Sequence, residues 1–365
     1  MRTHHADFHP PFCPSPACLY HYSTTGWRFK KIGFYRRQRA PRLVQRYLCL
    51  HCRRSFSHQT FQATYWLKRP DIHHTVFRRI LSCSSYRQIA RELEVSPSTT
   101  QRQTERLGRH CLLFQEVYRS RAVLSEPLVV DGFESFEYSQ YHPCHFHLAV
   151  GADSHFVYAF TDSELRRKGR MTDYQRRRRE ELEATDGRPD PKSIEKEVAE
   201  LLRLVPVSSG RVQLRTDDHK AYPRAIRRLQ GVEIDQQVTS SKERRDSRNP
   251  LFPVNWLDLL IRHGSSNHKR ETIAFSKRRQ NAAERLAITQ VWRNFIKPLT
   301  EKGGEPPPAH RLGLIDRALT VAEVLKERLF PTRISLPSRL QGYYWRRTRT
   351  RRIRHCRVHA LAYAQ

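Results

Sequence analysis

Leu128-Val-Val-Asp131 and Val212-Gln-Leu-Arg-Thr-Asp217 are two short runs, each closing on an aspartate, and what lies around them decides the fold. Each has the length of a strand and apolar residues suited to a sheet. Between them, His145 to Val150 and Phe156 to Phe160 read as two further strands around a turn at Gly151-Ala-Asp-Ser. Beyond Asp217, Ala221 to Leu229 reads as a short helix with Pro223 near its start, and Val232 to Val238 as a fifth strand. The spacing therefore predicts a three-strand meander followed by strand, helix and strand.

That order is the one found in a ribonuclease-H-like fold, where the first and fourth strands lie side by side. Asp131 and Asp217 would then be neighbours. Two adjacent carboxylates repel, and a divalent cation between them resolves the conflict. Carboxylate oxygens suit Mg²⁺ (or Mn²⁺), and a pair of such ions can hold the oxygens of an in-line phosphoryl displacement. A third acid completes such a cage. Ser266 to Asn281 reads as a helix with Asn267, Glu271 and Arg278 on one face, so Glu271 would hold metal and Arg278 would meet a DNA phosphate. Asp218 is the neighbouring alternative to Asp217, and Glu284 and the more distant Asp258 are alternatives to Glu271. Glu134 and Glu137 read as solvated.

The N-terminal part carries Cys13-Pro-Ser-Pro-Ala-Cys18 and, after about thirty residues, Cys49-Leu-His-Cys52. Two short Cys loops supply four thiolates to a structural Zn²⁺ with no coordination position left for catalysis. Trp27 to Phe34 and Leu43 to Leu50 read as strands joined by the basic loop Arg36 to Arg42, the layout of a zinc ribbon. His51 is expected to point outward. Cys83, Cys111, Cys144 and Cys356 read as small buried hydrophobes. Next, Ser85 and Gln88 form a capping box, Glu94-Val95 makes a turn, and Ser96-Pro97 opens a second helix. A helix-turn-helix of this kind would aim Ser98, Thr99 and Arg102 at the major groove of DNA.

The chain has 365 residues with 67 Lys and Arg against 36 Asp and Glu, a formal net charge of +31. Self-repulsion on that scale points to a polyanion, with double-stranded DNA as the expected partner. No stretch approaches the roughly 18 apolar residues of a membrane span, and the N-terminus has no apolar secretory signal, so the expected location is cytoplasmic, associated with the nucleoid. Residues 165–204 interrupt the strand pattern with arginine runs, and Ile194, Val198, Leu201 and Leu202 recur at helical spacing. The arginines read as a solvated face or as contacts to a DNA backbone. Leu312 to Leu329 reads as an amphipathic helix, and the Tyr343-Tyr-Trp-Arg-Arg tail as a phosphate-contacting and stacking segment. The expected organisation is multidomain α/β: a zinc ribbon over 1–60, a helix-turn-helix over 61–120, a ribonuclease-H-like domain over 121–300 with its helical insertion, and a basic helix and tail over 301–365.

Three phrases, Val-Val-Asp131-Gly-Phe-Glu-Ser-Phe, Arg-Thr-Asp217-Asp-His-Lys-Ala-Tyr222-Pro and Asn267-His-Lys-Arg-Glu271, resemble the catalytic blocks of the DDE transposases of bacterial insertion sequences. The plan of ribbon, helix-turn-helix and nuclease fold is similar too, over roughly residues 13 to 300. Tyr222, five residues past Asp217, and the basic Arg278, seven past Glu271, match the same family. The resemblance implies a catalytic triad of Asp131, Asp217 and Glu271 holding Mg²⁺, and a DNA-contact role for Arg278. It also implies binding of element terminal repeats and target DNA, action as a homo-oligomer, and hydrolysis at the element end followed by strand transfer. The rival readings are a non-catalytic DNA-binding regulator and a metal-dependent nuclease that cuts without joining.

Overall fold

The computed structural model describes residues 8–207, 210–269 and 273–349. They form two compact units, one of residues 8–74 with Thr320–Ser335, the other of Thr75–Leu319 with residues 336–349. The late segment Thr320–Ser335 thus belongs with the N-terminal unit.

In the first unit β1 (Phe29–Arg36), β2 (Leu43–Cys49) and β3 (Ser55–Ser57) form an antiparallel sheet in that order. On β2 the side chains of Val44, Tyr47 and Cys49 point inward. Tyr47 stacks on Phe56, Phe56 meets Phe61 and Phe61 meets Phe330, so most of this small core is aromatic. The helix expected over Leu312 to Leu329 does not form. Gly313 adopts a left-handed backbone at φ +67°, and Thr320 caps a new one-turn helix, Val321–Val324. Those breaks let Val321, Val324, Leu325 and Phe330 be buried without helical continuity.

The second unit begins within α1 (His73–Ile80), from Thr75, and continues with α2 (Tyr86–Glu92) and α3 (Pro97–Arg119). The expected caps are present. Ser85 Oγ accepts from the Gln88 amide at 3.4 Å while Gln88 Oε1 accepts from the Ser85 amide at 2.8 Å. Glu94, at φ +51°, turns the chain between α2 and α3, and Ser96 caps α3 ahead of Pro97. α3 runs 23 residues, longer than a recognition helix needs, because its second half is a core element.

Five strands follow: β4 (Leu128–Phe136), β5 (Pro143–Gly151), β6 (Val157–Glu164), β7 (Arg211–Asp217) and β8 (Glu233–Thr239). The sheet order is β6-β5-β4-β7-β8. β5 pairs antiparallel with β4 and β6, while β7 pairs parallel with β4 and β8. The fold is therefore mixed α/β around a mixed five-strand sheet. Burial is continuous along β5 from Phe146 to Gly151 and along β6 from Val157 to Ser163, as in strands covered on both faces.

Between β6 and β7 stand α4 (Asp173–Asp186) and α5 (Ser193–Arg203), separated by Gly187 at φ +83°. α5 buries Val198, Leu201 and Leu202 and packs on β6. α4 buries none of its side chains, and its arginines pair with neighbouring acids, Arg178 with Glu181 at 2.7 Å and Arg176 with Asp173 at 3.0 Å. α6 (Ala221–Ile226) links β7 to β8, α7 (Phe252–Gly264) packs on β4 and β5, and α8 (Arg279–Val291) packs along α3. At that crossing a Cβ on Gly108 would lie 2.7 Å from Glu284 Cβ, so only glycine permits the approach.

Three further expectations are corrected. Ser266 to Asn281 is not one helix: a single 3₁₀ turn covers Ser266–His268, and α8 begins only at Arg279. Lys269, at ψ 140°, and Arg278, at φ −140°, are both extended, which breaks any helix through the segment. Glu137 is 3% exposed rather than solvated. The start of the aromatic tail is core: Tyr343 is fully buried in the helix Ser338–Tyr344, stacks on Phe160 at 5.3 Å and hydrogen-bonds Asp162.

Candidate functional site

The four paired cysteines converge. The Sγ atoms of Cys13, Cys18, Cys49 and Cys52 all lie within 4.8 Å of one another, with Cys13 to Cys52 at 3.6 Å and Cys18 to Cys49 at 4.0 Å. Four thiolates about 2.3 Å from a tetrahedral ion are spaced about 3.8 Å apart, so the cluster fits a metal of zinc's size. Donors already point at the sulfurs. The indole N–H of Trp27 reaches Cys49 Sγ at 3.3 Å. Burial pushes the Cys49 thiol up, but Trp27 and the amides of Cys52 and His51 outweigh it and bring the thiol down to about 7. Burial holds the Cys13 and Cys18 thiols above their usual range. His51 is exposed as expected, yet its Nδ1 turns back to within 3.6 Å of Cys18 Sγ. Of the other cysteines Cys111 and Cys144 are buried, Cys83 is half-buried, and Cys356 lies outside the described residues.

The two aspartates are neighbours. β4 and β7 pair at Leu128 with Leu214 and Val129 with Arg215, and two more residues of this register put Asp131 beside Asp217. Asp131 does not end its strand; β4 continues to Phe136. Burial raises the Asp131 carboxyl to about 6, the Gly132 amide opposes this, Asp217 adds a like charge, Arg245 opposes and Asp258 adds again. The Tyr222 hydroxyl lies 3.5 Å from Asp131 Oδ1, and burial followed by both aspartates raises its own pKa well above the usual value. Asp217 Oδ1 accepts from the His219 amide at 2.9 Å. Asp218 instead accepts from the Ser241 amide and hydroxyl, both at 3.3 Å. The pair facing Asp131 is thus completed by Asp217, not Asp218.

Glu271 lies outside the described residues, as do Arg270 and Thr272. Arg278 is half-buried at the N-cap of α8, one residue before the helix begins. Glu284 is fully buried among Gln280 Nε2 (3.0 Å), Asn281 Nδ2 (3.2 Å) and Arg346 (3.0 Å), which makes it a packing residue. Asp258, in contrast, acts electrostatically on Asp131 from α7, where it also holds Arg262 at 2.9 Å. In sequence Asp258 stands outside the three acid-bearing phrases, and only the packing of α7 on β4 brings its charge to bear on Asp131.

On α3, Ser98 and Arg102 are exposed and Thr99 is half-buried. The hydroxyls of Ser98 and Thr99 each lie 2.9 Å from Ser96 Oγ, so both take part in the cap as well as facing outward. Among the described residues no helix is long and apolar enough to cross a membrane. Comparison with protein-family models and with curated proteins finds no match to this chain.

Proposed function

We propose that the chain is a DNA transposase of the DDE type, acting through carboxylate-held divalent metal. The observation that carries this reading is the placement of Asp131 beside Asp217 on adjacent parallel strands. The sheet order β6-β5-β4-β7-β8 supports a ribonuclease-H-like assignment for the second unit. A buried carboxyl raised to about 6 next to a second carboxylate is the donor set a hard cation relieves. Asp131 and Asp217 would hold Mg²⁺ or Mn²⁺, with Asp258 or Glu271 as the third acid. When bound there, divalent ions lower the pKa of water and neutralise charge in phosphoryl transfer. Tyr222 orients the Asp131 carboxylate, and the exposed end of α3 with Ser98 and Arg102 faces duplex DNA. The Cys13, Cys18, Cys49 and Cys52 cluster holds structural zinc. A net charge of +31 suits DNA as partner for both terminal repeats and target, with the protein working as a homo-oligomer on it in the cytoplasm.

The test uses labelled duplexes ending in the repeats that flank the gene, with Mg²⁺. Asp131→Ala and Asp217→Ala should each lower nicking and joining by at least about 10²–10³-fold while duplex affinity is kept. Asp218→Ala should retain activity, since its carboxylate is tied to Ser241. Nicking without joining would favour the nuclease reading; specific binding with no nicking by the parent protein would favour the regulator.

A further inference from the structure

The ribbon unit holds a cleft of about 730 Å³, within the size range of small-ligand sites. Its walls include the rings of Tyr35, Tyr65 and Trp66 and the cations Arg46, Arg54 and Lys68, and among the described residues no acidic one lines it. The bias extends to the whole segment: residues 8–74 carry twelve Lys and Arg against the single acid Asp71. Trp66 is 60% exposed, and its backbone sits at φ +62°, a conformation rarely taken by a bulky residue. A large indole presented to solvent from a constrained backbone offers a flat apolar face at low entropic cost.

The rest of the wall is held in place. The Arg328 guanidinium lies 4.4 Å over the Tyr65 ring, its Nη1 donates to Thr60 O at 3.3 Å, and its amide donates to Phe61 O at 2.8 Å. Arg54 Nη1 donates to Ser15 Oγ at 3.1 Å, and Arg37 bonds Gln59. Arg46 and Lys68 remain exposed at the mouth.

Cations track a phosphate backbone, but a duplex keeps its base faces stacked inside and has nothing to lay on an exposed indole. An unpaired strand presents both phosphates and bare base faces. We infer that this cleft binds an unpaired nucleotide segment of a DNA strand, with a base stacked on Trp66 and the flanking phosphates on Arg46, Arg54 and Lys68. The inference rests on the DNA-binding part of the proposed function and not on the aspartate pair.

The full-length protein is titrated with a labelled oligo(dT) strand and, separately, a blunt duplex of equal length. Trp66→Ala should weaken oligo(dT) binding roughly 5- to 150-fold, the span of one base–aromatic stack, and leave duplex affinity unchanged. Trp66→Phe should restore most of the loss, since a ring remains. Because Trp66 is mostly exposed, neither variant disturbs the core. Equal losses on both DNAs, or no loss on the single strand, overturn the inference while end cleavage by the parent protein leaves the proposed function standing. A parent protein that binds neither DNA overturns both.

Discussion

Tyr222 and Asp131 meet across 91 residues of chain, the phenol oxygen 3.5 Å from Oδ1, tying α6 to the central strand. The hydroxyl donates to a carboxylate that burial and Asp217 both make reluctant to ionise. A single neutral hydrogen bond of this kind contributes modestly. Tyr222→Phe should slow end cleavage roughly 2- to 10-fold and move the acid limb of the pH–rate profile upward, because the ionised Asp131 loses a donor. An unchanged profile would show that Tyr222 serves packing only.

The third acid separates by mutation. Asp258 already exerts its charge on Asp131, so Asp258→Asn should lower the Asp131 pKa and slow cleavage by at least about 10-fold, with DNA affinity kept. Unchanged cleavage in Asp258→Asn would leave Glu271 as the third acid. Glu284 is no control in that comparison. It is fully buried against Arg346, Gln280 and Asn281, and Glu284→Ala should lower thermal stability by removing the buried acceptor those three share, although Arg346 keeps Glu105 and Gln280 keeps the Tyr343 carbonyl.

Zinc should hold the first unit together. Its core is a small set of rings around the four sulfurs, too little apolar surface to fold unaided, so metal binding is folding energy. Metal analysis should find about one zinc per chain. Cys49→Ser should abolish it and expose the unit to proteolysis, while the sheet unit keeps its own melting transition. Zinc retained in full by the Cys49→Ser protein would count against the site.

The strands, the caps at Ser85 and Ser96 and the Cys spacing were legible because each is local: alternation, a cap box and a ligand spacing are written within a few residues. The strand order then followed from element order, and with it the Asp131–Asp217 neighbourhood. What failed was non-local. The apolar residues from Leu312 to Leu329 have helical spacing, but Thr320–Ser335 belongs to the first unit, with Phe330 in its core. Tyr343 reads locally as a nucleic-acid contact, but its partners are Asp162, 181 residues earlier, and Phe160. The Asn267–Arg278 stretch has helical periodicity that the extended backbone at Lys269 and Arg278 overrides. Gly108 carries no local signal; its need arises only where α3 meets Glu284.

His268 gives the second unit an acid limit that can be measured. The ring is fully buried, edge-on to Phe133 at 5.1 Å and to Phe146 at 5.4 Å. Burial, then the cation of Arg285, lowers its pKa from 6.5 to about 3, with the Ala282 backbone opposing and Arg262 adding to the fall. In the unfolded chain the same ring takes a proton near 6.5. Between those values the unfolded state binds the extra proton, so stability is whole above 6.5 and falls as pH drops. One such group contributes about 1.4 kcal/mol per pH unit across that window. His268→Phe keeps an aromatic ring between Phe133 and Phe146 and removes the titration. Urea midpoints measured from pH 6.5 down to about 4 should therefore fall less steeply in the variant, by the equivalent of one proton. Parallel slopes in the two proteins would mean that the acid sensitivity lies elsewhere.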